Sequence, residues 1–366
     1  MKSLVLSPDL QPVLARFWGG HADLDEQRVA PADGVPLLWR ELVEDVGVLG
    51  LLVEEEHGGQ GAGVPELAAA VLEAGRVGWA GPLASVAGVT VRLLARVDPA
   101  DASGLRRRIA EDGLRVAVAA LETSDAADLE TCATVSDASG RIAGTKLFVD
   151  GAAFAEQLLV VSQGPDGPAV HLVAPDAPGV TVRPVDAVDP ARGLAEVVLD
   201  GAQGVSVVEE GTGPDRVREA LAESWMLGAV LTAADVVGLA ARVLDLSVGY
   251  ARTRTQFGRT IASFQAVKHV LVDMYAELET ANSAVEAAVA DLAVEAERRH
   301  FSASAAKARA CDAAMVVVRQ GVQVHGGIGF TWEHEVSHHF RRATAARQLY
   351  GTPTAHRSRI ADLEGI

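Results

Sequence analysis

Cysteine is nearly absent. Cys132 and Cys311 are the only two in 366 residues, which argues against a disulfide framework and for a reducing compartment, the cytoplasm. Aromatic residues make up only 4%, and Ala, Val, Leu and Gly in their place fit long helices packed closely. Basic residues are also short. With 32 Lys and Arg against 49 Asp and Glu, the formal charge is −17 and the pI near 5.0, so nucleic acid and anionic membrane are poor partners. Any anionic ligand must therefore be met by a local group of arginines working against the global field. No run approaches the ~18 apolar residues of a membrane span. The opening stretch, MKSLVLSPDLQPVLARFWGG, lacks an apolar signal core and a small-residue cleavage site. What is present in quantity is hydrophobic side chain, 49% of the chain, enough for a sizeable core.

The hydrophobic period divides the chain into three regions. Residues 1–112 read as an N-terminal helical domain with glycine breaks: Leu38, Leu42, Val43 and Val46 fall at helical spacing before EEEHGGQGAG interrupts. The acidic run Glu54 to Glu56 reads as a solvated turn. Residues 113–210 carry seven short Val-rich segments separated by turn clusters such as DASG, GPDGP and PDAPG, which predicts an antiparallel sandwich or barrel. Residues 211–366 are helical again. Phe264, Val267, Val270, Leu271, Met274, Leu278, Ala281 and Val285 form one stripe of a helix near thirty residues long, and a second helix ends at Gly326-Gly327. The expected class is α+β, ending in a four-helix bundle.

One motif invites a different chemistry. WEHEVSHHF contains His334-Glu335-x-x-His338, and on a helix such a pair of histidines can grip zinc while the Glu deprotonates a bound water. A catalytic zinc needs a third protein ligand, yet the following turns offer Arg341, Arg342 and Thr344. His356 and Glu364 are the later candidates, and two adjacent arginines repel a dication. The expectation is no metal, with the motif a by-product of a helix serving another purpose.

Two other stretches are more specific. YARTRTQFGRTIASFQAVKH (250–269) and QVHGGIGFTWEHEVSHHFRRA (323–343), in this order and on this helix–strand–helix plan, resemble the acyl-CoA dehydrogenase family over essentially the whole chain. LWRELVEDVGVLGLLVEEEHGGQGAG and GTKLFVDGAAFAEQLLVVS add to the likeness. The resemblance implies an acyl-CoA dehydrogenase-like fold, FAD as cofactor and acyl-CoA as substrate. It carries Arg254, Gln256 and Phe257, with Gln323, Gly326 and Gly327, onto segments that reach a neighbouring subunit's FAD. Phe148 takes the place of an aromatic covering the flavin, and Thr352 belongs to a further flavin-side segment. Such a pyrophosphate wants Arg, backbone N–H groups and close glycine approach. An oligomer follows, either of this chain or with a homologous subunit.

The resemblance fails at the base. Family members take the substrate's α-proton with a Glu placed either before a C-terminal Gly-Thr or on the helix preceding the QFG segment. Here those positions hold Tyr350 and Gly228. Glu223, more than a helical turn from Gly228, and Glu122 are the first carboxylates to mutate in search of a replacement. Three readings follow: a subunit lacking the catalytic Glu in a heteromeric acyl-CoA dehydrogenase, an active homomer with an unrecognised base, or a flavin-binding scaffold. The likeness to heteromeric members extends to those acting on steroid side chains, and fatty acid or steroid side-chain metabolism is the expected setting.

Overall fold

The computed structural model describes residues 4–20 and 35–366. The first helices are α1 (Leu10–Gly20), the short α2 (Trp39–Glu41), α3 (Val64–Val77), α4 (Val91–Val97) and α5 (Leu105–Asp112). Eight strands follow: β1 (Val116–Ala119), β2 (Val135–Ser136), β3 (Arg141–Val149), β4 (Gln157–Gly164), β5 (Gly167–Val173), β6 (Val180–Pro184), β7 (Ala195–Gln203) and β8 (Val205–Ser206). The remainder comprises α6 (Pro214–Thr253), the hairpin strands β9 (Thr255–Gln256) and β10 (Arg259–Thr260), α7 (Gln265–Ala293), α8 (Arg299–His325), α9 (Glu335–Ala346) and α10 (Pro353–Glu364). The fold is α+β, with helices before and after a curled central sheet.

The seven Val-rich segments all became strands, but the sheet is mixed. Its order is β6-β7-β3-β2-β4-β5-β8, with β1 on β4. Both β1 and β2 run parallel to β4, while the other pairings are antiparallel. Segment composition gives strand existence but not direction, which the connections decide. Ile142, Leu158, Val160, Val173, Val197 and Leu199 fill the sheet's core. Near the N-terminus, Leu42 and Val46 lie not in one regular helix but in a widened turn, Leu42–Val46, that continues α2. Glu54 is not simply solvated: it accepts from the buried Arg106 guanidinium.

The chain divides into two compact units, one of residues 1–28, 68–79 and 229–366, the other of 29–67 and 80–228. The first takes in α6 from residue 229 onward. By length and composition α6 could cross a membrane, but 94% of its apolar window is buried in the protein, so its run of apolar residues, longer than the sequence reading allowed, is a core helix. Gly238 lets α3 approach it: a Cβ there would stand 1.9 Å from the Leu72 carbonyl oxygen. Arg342 of α9 forks onto Asp235 of α6 at 2.6–3.2 Å and donates to the Trp79 carbonyl at 2.7 Å. The stripe on α7 is buried from Met274 onward, but Val267, Val270 and Leu271 are only half-buried and Val272 is exposed.

Candidate functional site

Three neighbouring segments of the first unit hold most of the candidate binding residues. Where α6 ends, the Arg254 N–H still donates to the Tyr250 carbonyl at 2.8 Å. The chain then turns back through β9 and β10, with Gln256 opposite Arg259. The two turn residues, Phe257 and Gly258, have φ of 54° and 75°, the all-positive geometry of a type I′ hairpin. That geometry suits Gly258 and costs Phe257 roughly 1–2 kcal/mol, yet its ring is 92% exposed. Arg254 and Gln256 are also exposed, and their side chains make no hydrogen bond or ion pair with another described residue. Arg259 lies over the Phe264 ring at 4.1 Å. An arginine, an amide and an aromatic ring are thus offered outward from a backbone strained to do so.

The second segment is the end of α8. Gln323 is exposed on the last turn. Gly326 caps the helix at φ 66°, ψ −144°, a region closed to residues with a Cβ. Gly327 has no such backbone demand, and a Cβ at either glycine would meet nothing within 4 Å. Packing within the chain therefore does not explain Gly327, whereas a group lying against its backbone would. The third segment opens α9. Its link to the others is a row of rings: Tyr250 stacks on His325 at 4.7 Å, and His325 lies 4.8 Å from His334. Tyr250 and His325 escaped the sequence reading, which singled out His334 only as part of the H-E-x-x-H motif. The only available signal was that His325 and His334 flank the glycine pair and Tyr250 precedes Arg254 by one turn.

The H-E-x-x-H residues are fully occupied elsewhere. His334 caps α9, its Nδ1 accepting the Val336 N–H at 3.3 Å. Glu335 takes a forked pair of bonds from Arg242 at 2.7 and 2.9 Å and lies 3.2 Å from His339 Nε2. Burial pushes the Glu335 carboxyl up, but the bonds from His339 and Arg242 outweigh it and hold the group far below the carboxylate range. His338 Nε2 sits 2.7 Å from the Trp332 carbonyl, and Arg341 stacks on the Trp332 ring at 3.8 Å. The motif builds a helix start and an ion pair.

Tyr350 is 6% exposed at φ 55°, and its carbonyl accepts from His356 Nε2 at 3.0 Å. Thr352 caps α10, accepting the Ala355 N–H at 3.1 Å, so one lone pair of this hydroxyl serves the fold. Gly228 is buried within α6. The two replacement carboxylates are engaged: Glu223 accepts from Arg96 at 2.7 Å, and Glu122 accepts from Lys146 Nζ at 2.5 Å and from the Ala133 and Thr134 N–H groups. Burial raises the Glu122 carboxyl, yet these bonds bring it down to about 2. A carboxylate so stabilised is a feeble proton acceptor near neutrality.

In the second unit, Phe148 sits at an irregularity of β3, where the pairing with β7 shifts between Lys146 and Val149. It has φ 51° and an exposed ring. A bulge re-aims the side chain it carries. Two residues earlier, Lys146 is wholly buried and donates to the Ala120 carbonyl as well as to Glu122. The loop between β1 and β2 is further tied by Trp225, whose indole N–H donates to the Ala126 carbonyl at 2.7 Å.

Comparison with known proteins gives this arrangement a family. Residues 218–363 match the acyl-CoA dehydrogenase C-terminal domain and residues 17–97 the N-terminal domain. The acyl-CoA dehydrogenase IpdE2 of Mycolicibacterium smegmatis is 30% identical over 360 residues, 96% of each chain. Among solved structures, a variant of the Tcur3481-Tcur3483 steroid ACAD superposes with a TM-score of 0.84 at 28% identity, covering 98% of this chain and 97% of that one. The ChsE4-ChsE5 complex from Mycobacterium tuberculosis gives 0.83 at 26%, covering 100% and 98%. The chain belongs to the acyl-CoA dehydrogenase family, flavoprotein oxidoreductases that act on CH–CH bonds.

Proposed function

We propose that this chain is the subunit without the catalytic Glu in a heteromeric, FAD-dependent acyl-CoA dehydrogenase of the cytoplasm. One observation carries the reading: both base positions lack a carboxylate, at Tyr350 and Gly228, and the carboxylates that could replace it, Glu223 and Glu122, are bound to Arg96 and Lys146. The likeness to two heteromeric assemblies over nearly the whole chain supports it.

The chain's own residues fit FAD. Toward a neighbouring subunit's FAD, Arg254 would meet the pyrophosphate charge, Gln256 and Gln323 would supply amide contacts, Gly326-Gly327 would admit the dinucleotide against bare backbone, and Phe257 would pack on it. Phe148 would cover a flavin ring system, and Thr352 would offer its remaining hydroxyl hydrogen. Bound FAD would supply the acceptor for the β-hydrogen leaving as hydride. The α-proton then needs a carboxylate that a homologous partner subunit brings to its own site. The substrate class is an acyl-CoA thioester, from fatty acid or steroid side-chain breakdown.

The test assays acyl-CoA oxidation with an electron-acceptor dye for the chain alone, for Tyr350→Glu, and for the chain co-expressed with a homologue encoded beside it. The isolated chain should turn over poorly, because a positioned general base contributes about 10²–10⁴-fold, and Tyr350→Glu should raise the rate at least about tenfold by restoring part of that contribution. Robust turnover by the unmodified chain alone would defeat the proposal.

A further inference from the structure

We propose that the Tyr250, His325 and His334 rings form a positioning device that holds the three flavin-facing segments together, and that protonating its imidazoles loosens flavin binding in acid. This rests on the FAD reading above.

The geometry ties each segment to one ring. Tyr250 lies on the last turn of α6, and its carbonyl takes the first N–H of the Arg254–Phe257 hairpin. His325 is the last residue of α8, buried beneath the glycine pair. A Cβ on Gly329 would stand 2.9 Å from the His325 Cβ and 3.3 Å from the Val322 backbone, so Gly329 packs closely on the last turn of α8. His334 is the cap of α9. A stacked contact at 4.7 Å and a tilted one at 4.8 Å thus join three chain ends, beside the Arg242–Glu335 pair that ties α6 to α9.

The proton positions follow from the partners. His325 Nδ1 is 2.8 Å from the Gly321 carbonyl, which only accepts, so this nitrogen carries hydrogen. His334 Nδ1 accepts from Val336, so this nitrogen carries none. A second proton on His334 turns that acceptor into a donor facing an N–H and removes the cap. A second proton on His325 puts a buried cation against the other imidazole. Burial already holds His325 below its ordinary value, and the His334 ring adds to that. The charged and titratable groups on the packed elements do not relieve it: Arg242 is committed to Glu335, His339 lies on the same carboxylate, and His338 lies on the Trp332 carbonyl. A group whose proton affinity falls on packing stabilises the packed form above about pH 6.5 and ceases to as pH drops.

Flavin release from the loaded protein, followed by the rise in flavin fluorescence on dilution, tests this between pH 8 and 5.5. The unmodified protein should release flavin about tenfold faster at pH 5.5, the change expected from one unit of coupled protonation. H325F keeps a stacking ring and H334N keeps a cap acceptor, and neither titrates. In the double variant the acid acceleration should shrink below about threefold. H325A should release faster at every pH, and amide exchange at residues 255–260 and 326–331 should rise with it. A merely structural role would lower thermal stability in the double variant without flattening the pH profile, and that result overturns the inference. Undiminished acid release from H325F/H334N overturns it too, while leaving the FAD reading intact. A protein that holds no flavin even at pH 8 overturns both.

Discussion

The interior of the helical unit and its exposed rim around Arg254 and Gly327 obey opposite rules. Inside, charge is completed by charge: Arg342 has a carboxylate and a carbonyl waiting for it, and Glu335 has Arg242 and His339. On the rim, Arg254 and Gln256 reach out with no partner among the described residues, Phe257 is strained and exposed, and Gly327 leaves room that nothing in the chain uses. The principal buried charges, Arg342 and Glu335, are matched within this chain, whereas the rim holds Arg254 and Gln256, which no described residue matches.

That contrast can be broken most severely at its interior side. Arg342→Ala leaves Asp235 buried and ionised without its fork, and the loss should be about 3–5 kcal/mol, seen as a large fall in thermal midpoint. Pairing it with Asp235→Leu should recover much of the loss, since removing both charges leaves none stranded. Next in size is Gly238→Ala. Its Cβ would meet the Leu72 carbonyl oxygen at 1.9 Å, and the helices must part, at roughly 1–3 kcal/mol. A midpoint unchanged by this substitution would show that α3 does not bear on α6 there.

A smaller effect separates the sheet's interior from the rim by pH. Glu122 has its carboxyl lowered from 4.5 to about 2, so its contribution to stability is whole above pH 4.5 and is lost as pH falls toward 2. Lys146→Met removes the first of the bonds that lower it. The acid-unfolding midpoint followed by circular dichroism should then move to higher pH, and an unmoved midpoint would show that the pair is not what holds the loop in acid.

How much of this could be read beforehand follows the same division. The long helices α7 and α8 and the seven Val-rich strands were legible because periodicity reports burial directly. The rim residues were named only through resemblance, since an exposed Arg254 or Gln256 leaves no trace in a hydrophobic pattern. The parallel pairing of β1 and β2 with β4, and the lock between Glu122 and Lys146, were hidden because they depend on register between segments 24 to 41 residues apart. The H-E-x-x-H pattern could not be assigned a role from spacing alone for a related reason. Spacing along a helix says which side chains share a face, but not that His334 spends its nitrogen on a cap and Glu335 its oxygens on Arg242.

The smallest expected effect on the fold is the one that sharpens the contrast most. Gly327→Ala adds one methyl where nothing lies within 4 Å and where the backbone has no positive φ to strain. By the chain's own packing it should be neutral, within about 0.5 kcal/mol as for surface positions generally. If Gly327 exists for close approach of a dinucleotide, the same methyl should cost affinity, because backbone N–H groups bind phosphate best when nothing stands in front of them. The expectation is an unchanged thermal midpoint in the flavin-free protein together with flavin retention lowered at least about tenfold, the equivalent of 1.4 kcal/mol. Gly326→Ala cannot make this separation, since at φ 66° and ψ −144° it strains the backbone whether or not a ligand is there. A Gly327→Ala protein that keeps both its midpoint and its flavin would return the glycine to the role of a helix end, and leave Arg254 and Gln256 to account for the rim alone.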